Sequence, residues 1–302
     1  MTYRLLCIAG APVRASHLVA WGNVQGMPRE PTDATHLELQ GARIPKLGLG
    51  TWELRGDDCR ESVRDALALG YRHIDTAAAF GNERDVAAGL ADAGIPRDDV
   101  WLTTKVWREM ATASKVRRQA ERSLKQLDVD RVDLLLLHWP SDPPLEETMG
   151  ALHELREEGL ATHVGVSNFP SALLRDALEL GPLLANQVEF HPLLAQPQLL
   201  ALAREREMAL TASSPFAHGA LFDEPALQEM ALRTGRNAGQ IALRWLFDQP
   251  NVSAIPKAAS HENRAANLDV FGWDLEDEDR ATLTALERGE RTVDPSFAPE
   301  WD

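Results

Sequence analysis

Three residues of complementary chemistry stand at one kind of place in this chain. Asp75, Lys105 and His138 each follow a short apolar run: Tyr71-Arg72-His73-Ile74, Trp101-Leu102-Thr103-Thr104 and Val132-Asp133-Leu134-Leu135-Leu136-Leu137. A carboxylate, an ammonium and an imidazole can together do acid–base work. Each is costly to bury alone, but a carboxylate and an ammonium brought together neutralise each other. Solvated, unrelated residues would have no reason to cap three apolar runs at the same end. Strand C-termini are where an α/β fold places chemistry. After Asp75 comes a small-residue loop, Thr76-Ala77-Ala78-Ala79-Phe80-Gly81, and Asn82-Glu83 open a helix.

The elements that would position these groups follow from periodicity. His36-Leu37-Glu38-Leu39-Gln40, Gly41 and Arg43-Ile44-Pro45 alternate around a glycine turn, which predicts a β-hairpin. Strands are predicted near 46–50, 71–75, 101–106, 132–138, 161–167, 185–189, 208–212 and 252–255. Helices are predicted over 58–69, 83–94, 112–127, 145–158, 170–180, 196–206, 225–249 with a break near Gly235-Arg236-Asn237, 260–268 and 276–289. Strand and helix alternate eight times. The pattern predicts a (β/α)8 TIM barrel with an N-terminal β-hairpin, spanning 35–302 as one domain. The run Val132 to Leu137 is too apolar for a one-sided strand and fits one buried on both faces. Residues 1–34 lack periodicity and are expected to be a disordered extension, with Met27 an alternative start. Gly48-Leu49-Gly50 begins a dinucleotide-type glycine pattern. Trp52 and Glu53 then break it, which argues against a Rossmann domain.

Composition narrows the function. A net charge of −15 opposes binding to nucleic acid or to anionic membrane. Cys7 and Cys59 give no disulfide framework, the histidines lack metal-ligand spacing, and no apolar run approaches a membrane span. A cytoplasmic, monomeric enzyme acting on a small molecule, with no metal, is the expectation. Trp52, Trp107 and Trp139 all begin loops at strand C-termini and are expected to wall a small-ligand pocket.

Several motifs, in this order and spacing, resemble the aldo-keto reductase family. They are Gly48-Leu49-Gly50-Thr51-Trp52, Asp75-Thr76-Ala77-Ala78, Thr104-Lys105-Val106-Trp107, Leu137-His138-Trp139-Pro140, Gly165-Val166-Ser167-Asn168-Phe169, Asn186-Gln187-Val188-Glu189 and Ile255-Pro256-Lys257. The C-terminal Ala298-Pro299-Glu300-Trp301-Asp302 resembles the bacterial 2,5-diketo-D-gluconate reductase branch. The resemblance implies hydride transfer from NADP(H), with NAD(H) the lesser alternative, to a small aldehyde, ketone or keto-sugar. It implies a Tyr as proton donor, a Lys that lowers its pKa, an Asp that holds the Lys, and a His that orients the carbonyl. Asp75, Lys105 and His138 match that set. The Tyr position holds Phe80.

On the cofactor side the resemblance implies Gly50, Thr51 and Asp75 along the floor. Ser167, Asn168 and Gln187 would hold the carboxamide. Ser213 stands where a ring-stacking Tyr is usual. Pro215, Phe216 and His218 belong to the loop that folds over the pyrophosphate. Lys257, Ala258, Asn263, Arg264 and Asn267 surround the adenosine 2′-phosphate and adenine. Glu189 reads equally as a buried structural acid or as a ligand.

Phe80 has no hydroxyl to donate. The chain has only Tyr3 and Tyr71 to replace it. Tyr71, in the same predicted strand as Asp75, would lie roughly 13 Å from it toward the other barrel end. Three readings follow: an impaired reductase, with Phe80 natural or engineered; a catalytically silent nicotinamide-nucleotide-binding barrel; or an isomerase or lyase using Asp75 and Lys105.

Overall fold

The computed structural model describes residues 35–302, so the predicted 1–34 extension lies outside the described residues. β1 (His36–Leu39) and β2 (Ala42–Pro45) form the antiparallel hairpin, with His36 opposite Pro45 and Leu39 opposite Ala42. Eight parallel strands follow: β3 (Leu49–Gly50), β4 (His73–Asp75), β5 (Trp101–Val106), β6 (Val132–Leu137), β7 (Ala161–Ser167), β8 (Ala185–Glu189), β9 (Ala209–Ser213) and β10 (Val252–Ala254). Each pairs with the next in sequence. The two ends of the sheet then meet. Gly48 N donates to Ala254 O at 2.9 Å, Ala254 N to Lys46 O at 2.7 Å and Gly50 N to Pro256 O at 3.1 Å. These bonds close the (β/α)8 barrel.

Among the described residues ten α-helices surround and follow the strands: α1 (Gly56–Leu69), α2 (Glu83–Ala93), α3 (Ala113–Leu127), α4 (Leu145–Glu157), α5 (Ser171–Glu179), α6 (Pro197–Glu205), α7 (Pro225–Thr234), α8 (Ala238–Asp248), α9 (His261–Leu268) and α10 (Asp277–Thr284). Their apolar stripes bury against the outer faces of the strands. In α1, Cys59, Val63, Ala66 and Leu67 are inward at helical spacing. The predicted break between α7 and α8 falls at Gly235, left-handed at φ 69°. α8 then starts on a capping box between Asn237 and Gln240.

The apolar strand β6 is buried on both faces. Leu135 and Leu137 join the outer core under the helices. Leu134 and Leu136 point into the barrel. There they meet Leu37, Leu39, Ala42 and Ile44 of the hairpin, with Trp101, Leu184, Ala185 and Ala209. The hairpin therefore plugs the end of the barrel where the strands begin. The opposite end stays free for chemistry.

Three predicted elements differ, the first being the barrel strand predicted near 46–50, which is only Leu49–Gly50. Tyr71 is not part of the strand. Gly70 is left-handed at φ 117°, and the Tyr71 amide donates back to Ala66 O, so residue 71 completes the end of α1 and β4 starts only at His73. The last helix, predicted to run to 289, stops at Thr284. Beyond it the amides of Arg288 and Glu290 donate to Leu193 O, drawing the chain onto the barrel.

The barrel seam depends on a close backbone approach. A Cβ added at Gly50 would stand 2.5 Å from Ile255 O. We expect Gly50→Ala to lower unfolding stability by about 1–3 kcal/mol, read from urea denaturation midpoints, because backbone at the seam has to shift.

Candidate active site

Asp75 ends β4 and pairs in register with Thr103 of β5. Lys105, two residues further along β5, therefore shares the face of Thr103 and lies over Asp75. Its Nζ donates to Asp75 Oδ1 at 2.5 Å and to Thr76 O at 2.9 Å. From β8, across the barrel, Gln187 Nε2 donates to Asp75 Oδ2 at 2.8 Å. Both ionic side chains are only 1–2% exposed. Burial pulls the Lys105 ammonium below its ordinary range, and the Asp75 charge opposes that pull. Two of the ammonium's three protons thus have oxygen acceptors. The Phe80 ring stands beside the group, its centroid 5.3 Å from Nζ.

The loop carrying Phe80 is fixed from both sides. Ala78–Phe80 make one 3-10 turn, ended by left-handed Gly81 at φ 69°. Asn82 is fully buried. Its Nδ2 donates to Thr51 O at 2.8 Å and Leu54 O at 2.9 Å, and its Oδ1 accepts from Thr76 Oγ1 at 2.9 Å. Glu83, the first residue of α2, accepts from Thr104 Oγ1 at 2.7 Å, next to Lys105. The Phe80 ring also meets the His138 ring edge-on, with centroids 5.6 Å apart. No tyrosine of the described residues approaches this point. Tyr71 is buried elsewhere, its hydroxyl donating to Arg264 O at 3.0 Å.

His138 follows β6, with Trp107 edge-on at 5.3 Å. Burial, aided by the Lys105 charge, pushes its pKa well below the ordinary value, so the imidazole is neutral at pH 7. Nδ1 is buried without a partner. An orphaned N–H is rarer in proteins than an orphaned acceptor, so the hydrogen is assigned to Nε2 of the ring that lines the cleft. A neutral donor beside a buried cation can hold a carbonyl oxygen.

Asp75, Phe80 and His138 open into a cleft of about 930 Å³, while Lys105, buried beside the Phe80 ring, does not line it. Trp52, Trp107 and Trp139 wall it, as their positions at strand ends suggest. The sequence reading missed another wall. Thr292, Val293 and Pro295 of the C-terminal segment also line the cleft. Glu189 holds that segment. Its carboxylate accepts from Thr292 N at 2.9 Å, Val293 N at 2.9 Å, the Thr292 hydroxyl, and His191 Nε2 at 3.0 Å. Of its two readings, the geometry favours the structural acid. Further along, Phe297 meets Trp107 and Trp139 edge-on, and the Asp302 carboxylate accepts from Ser171 N and Oγ. The signal in the sequence that could have pointed to this strap is Glu189 itself, since an acid buried on a strand needs hydrogen-bond donors from elsewhere in the chain.

On the other flank, Gly50, Thr51, Ser167, Asn168, Gln187, Ser213, Pro215, Phe216, His218 and Lys257 all line the cleft. Ser167 Oγ donates to Gln187 O at 2.8 Å, and Asn168 Nδ2 donates to Ser167 Oγ at 3.1 Å and His138 O at 3.0 Å. This hydroxyl and amide set fits a neutral carboxamide, and Lys257 at the mouth fits an anionic group. Four residues grouped with them by sequence do not line the cleft. Asn263 is exposed and Ala258 is buried, while Asn267 is buried beside the Tyr71 hydroxyl. Arg264 turns inward: Nε donates to Asp65 at 2.7 Å, and Nη1 to Ser62 Oγ, Ala258 O and Ala259 O.

Residues 46–288 match the model of the Aldo/keto reductase family. The chain is 36% identical over 266 residues to a methylglyoxal reductase DkgB of Escherichia coli O157:H7, covering 86% of this chain and 99% of that protein. It is 36% identical over 270 residues to a glyoxal reductase of Bacillus subtilis (strain 168), covering 88% and 96%. A crystal structure provisionally assigned as a 2,5-diketo-D-gluconic acid reductase B superposes with a TM-score of 0.87 at 40% identity, covering 89% of this chain and 99% of that one. The Bombyx mori aldo-keto reductase in complex with NADP gives 0.82 at 30% identity, covering 88% and 97%.

Breaking the ion pair from one side leaves a buried charge. Lys105→Met should cost about 3–5 kcal/mol in denaturant unfolding. The Asp75→Asn, Lys105→Met double variant should lose less than the sum of the two singles, since neither charge remains. Acid should also destabilise the fold. The imidazoles of His36, His73, His138, His153 and His163 are all held below the ordinary 6.5 by burial, His36 down to about 4. The unfolded chain then binds more protons below that value. Stability is therefore present above about pH 6.5 and is lost as pH falls. Replacing His138 with Gln should flatten this decline by up to about 1.4 kcal/mol per pH unit, measured from urea titrations between pH 7 and 5.

Proposed function

The chain belongs to the aldo/keto reductase family, and from that premise we propose that it binds NADP(H) in the cleft and reduces a small carbonyl compound slowly. The observation that carries the proposal is the buried Asp75–Lys105 pair with neutral His138 at the same barrel mouth. Aldehydes and 2-oxoaldehydes are the first substrates to try, given the glyoxal and methylglyoxal reductases among its relatives. A keto-sugar is the next. We assign it to the cytoplasm as a monomer.

A nicotinamide bound in this cleft would supply hydride to the carbonyl carbon. The protein's own residues do the rest. His138 Nε2–H donates to the carbonyl oxygen and orients it. Trp107, edge-on to His138, and Trp139 wall the cleft beside it. The oxygen that gains negative charge then needs a proton. By the family resemblance that proton comes from a Tyr at position 80, polarised by Lys105. Phe80 supplies none. It stands between Lys105 and the cleft, so the ammonium meets an aromatic ring instead of a hydroxyl. Because His138 is already neutral, giving up its proton would leave an imidazolate, so proton delivery falls to water, which is the reason to expect a slow reaction.

The same observation favours a second reading, a barrel that binds the nucleotide and does no chemistry. NADPH oxidation with methylglyoxal, followed at 340 nm for the parent and for Phe80→Tyr, separates the two. A positioned donor is worth about 10²–10⁴-fold. The impaired-reductase reading predicts weak parent turnover and a gain of roughly that size in Phe80→Tyr. A gain from no detectable parent turnover supports the silent barrel, and no gain at all means that position 80 is not the missing donor.

A further inference from the structure

The mouth of the cleft carries a charge pair that the proposed chemistry does not use. Lys257, on the loop after β10, donates from Nζ to Glu53 Oε2 at 2.6 Å. Glu53 belongs to the loop after β3, so the pair spans 204 residues of sequence. Trp52 lies between the same loops: the Lys257 ammonium is 5.4 Å from its ring centroid, and His218 of the loop after β9 meets it edge-on at 5.4 Å. Glu53 itself is held in the left-handed region at φ 63°, an uncommon conformation for a residue with a side chain. Three loops therefore meet at one cluster over the opening.

The charges of the cleft make this pair decisive. Among the described residues that line it, the charged side chains are Glu53, Asp75 and Lys257. Lys105 neutralises Asp75. Arg264 is buried and bonded to Asp65. Lys257 is thus the lining cation available to an anionic ligand, and it already has a carboxylate partner. Arg55 and His218 also act on Glu53, but Arg55 does not line the cleft.

We propose that Glu53 sets the phosphate selectivity of this cleft, its carboxylate competing with an incoming adenosine 2′-phosphate for Lys257. The inference rests on the NADP(H) reading above and adds an opposing residue to it. Two anions seeking one ammonium cannot both keep it at hydrogen-bond distance without repelling each other. The 2′-phosphate must displace Glu53 and then bind beside a negative charge. A nucleotide lacking that phosphate leaves the Glu53–Lys257 pair intact. The parent protein therefore discriminates weakly between NADPH and NADH, although its one lining cation favours the former.

Equilibrium titration by nucleotide fluorescence, without substrate, tests this. Glu53→Gln keeps the size and polarity of the side chain and removes the charge. It should tighten NADPH by roughly 2- to 5-fold, the upper part of the range of an exposed charge interaction, and leave NADH nearly unchanged. Lys257→Ala should weaken NADPH far more than NADH. Added to Lys257→Ala, Glu53→Gln should give a smaller gain for NADPH than in the parent, because competition for the cation is gone and repulsion alone is relieved. If Glu53→Gln moves both nucleotides equally or neither, while Lys257→Ala remains selective, the role of Glu53 is refuted and the NADP(H) reading stands. If no variant binds either nucleotide, the reading fails and the inference falls with it.

Discussion

Placing Asp75 and Lys105 inside the barrel takes two charges out of water, at an effective cost of several kcal/mol per ion. Their mutual attraction repays this only when the remaining polar atoms are also satisfied. That requirement accounts for much of the surrounding structure. Gln187 reaches from β8 to the second carboxylate oxygen, and Thr76 O takes a second ammonium proton. Strands far apart in sequence must therefore hold a common register. The closed barrel does this, because every strand is fixed by two neighbours and none has a free edge.

The ion pair also determines what its neighbours can do. Lys105 keeps a positive charge next to His138, which together with burial holds the imidazole neutral. A neutral ring beside a cation is a hydrogen-bond donor rather than a second charge. Phe80 fits the same field in a limited way: its ring accepts the cation's electrostatic attraction but offers no proton. The loop that carries it is held without a hydroxyl at position 80. Asn82 and Glu83 tie it to the β3 loop and to β5 by bonds that do not involve position 80. The scaffold around the site is thus independent of the chemistry at that one residue.

Much of the fold was legible because the barrel repeats one local pattern. Each strand is a short apolar run and each helix a stripe at period 3.6, so periodicity locates them without knowledge of neighbours. Asp75, Lys105 and His138 were legible for the same reason, as polar residues closing apolar runs. Element ends were less so. Tyr71 reads as strand by its side chain, yet the left-handed Gly70 gives its amide to the end of α1. The residues after Thr284 continue a helical pattern, yet bonds to Leu193 O turn them away.

The sequence by itself determined the alternation of strands and helices and the three polar strand ends, because these depend on residue type and local spacing. Tertiary structure decided which groups meet. Arg264 and Lys257 look alike as cations near the end of the barrel, but Asp65 on α1 draws Arg264 inward and Glu53 draws Lys257 across the mouth. Glu189 looks like a neighbour of Gln187, but its partners are amides more than 100 residues away in the C-terminal strap. Such pairings have no periodic signature. They arise from barrel closure, which brings distant loops within hydrogen-bond reach.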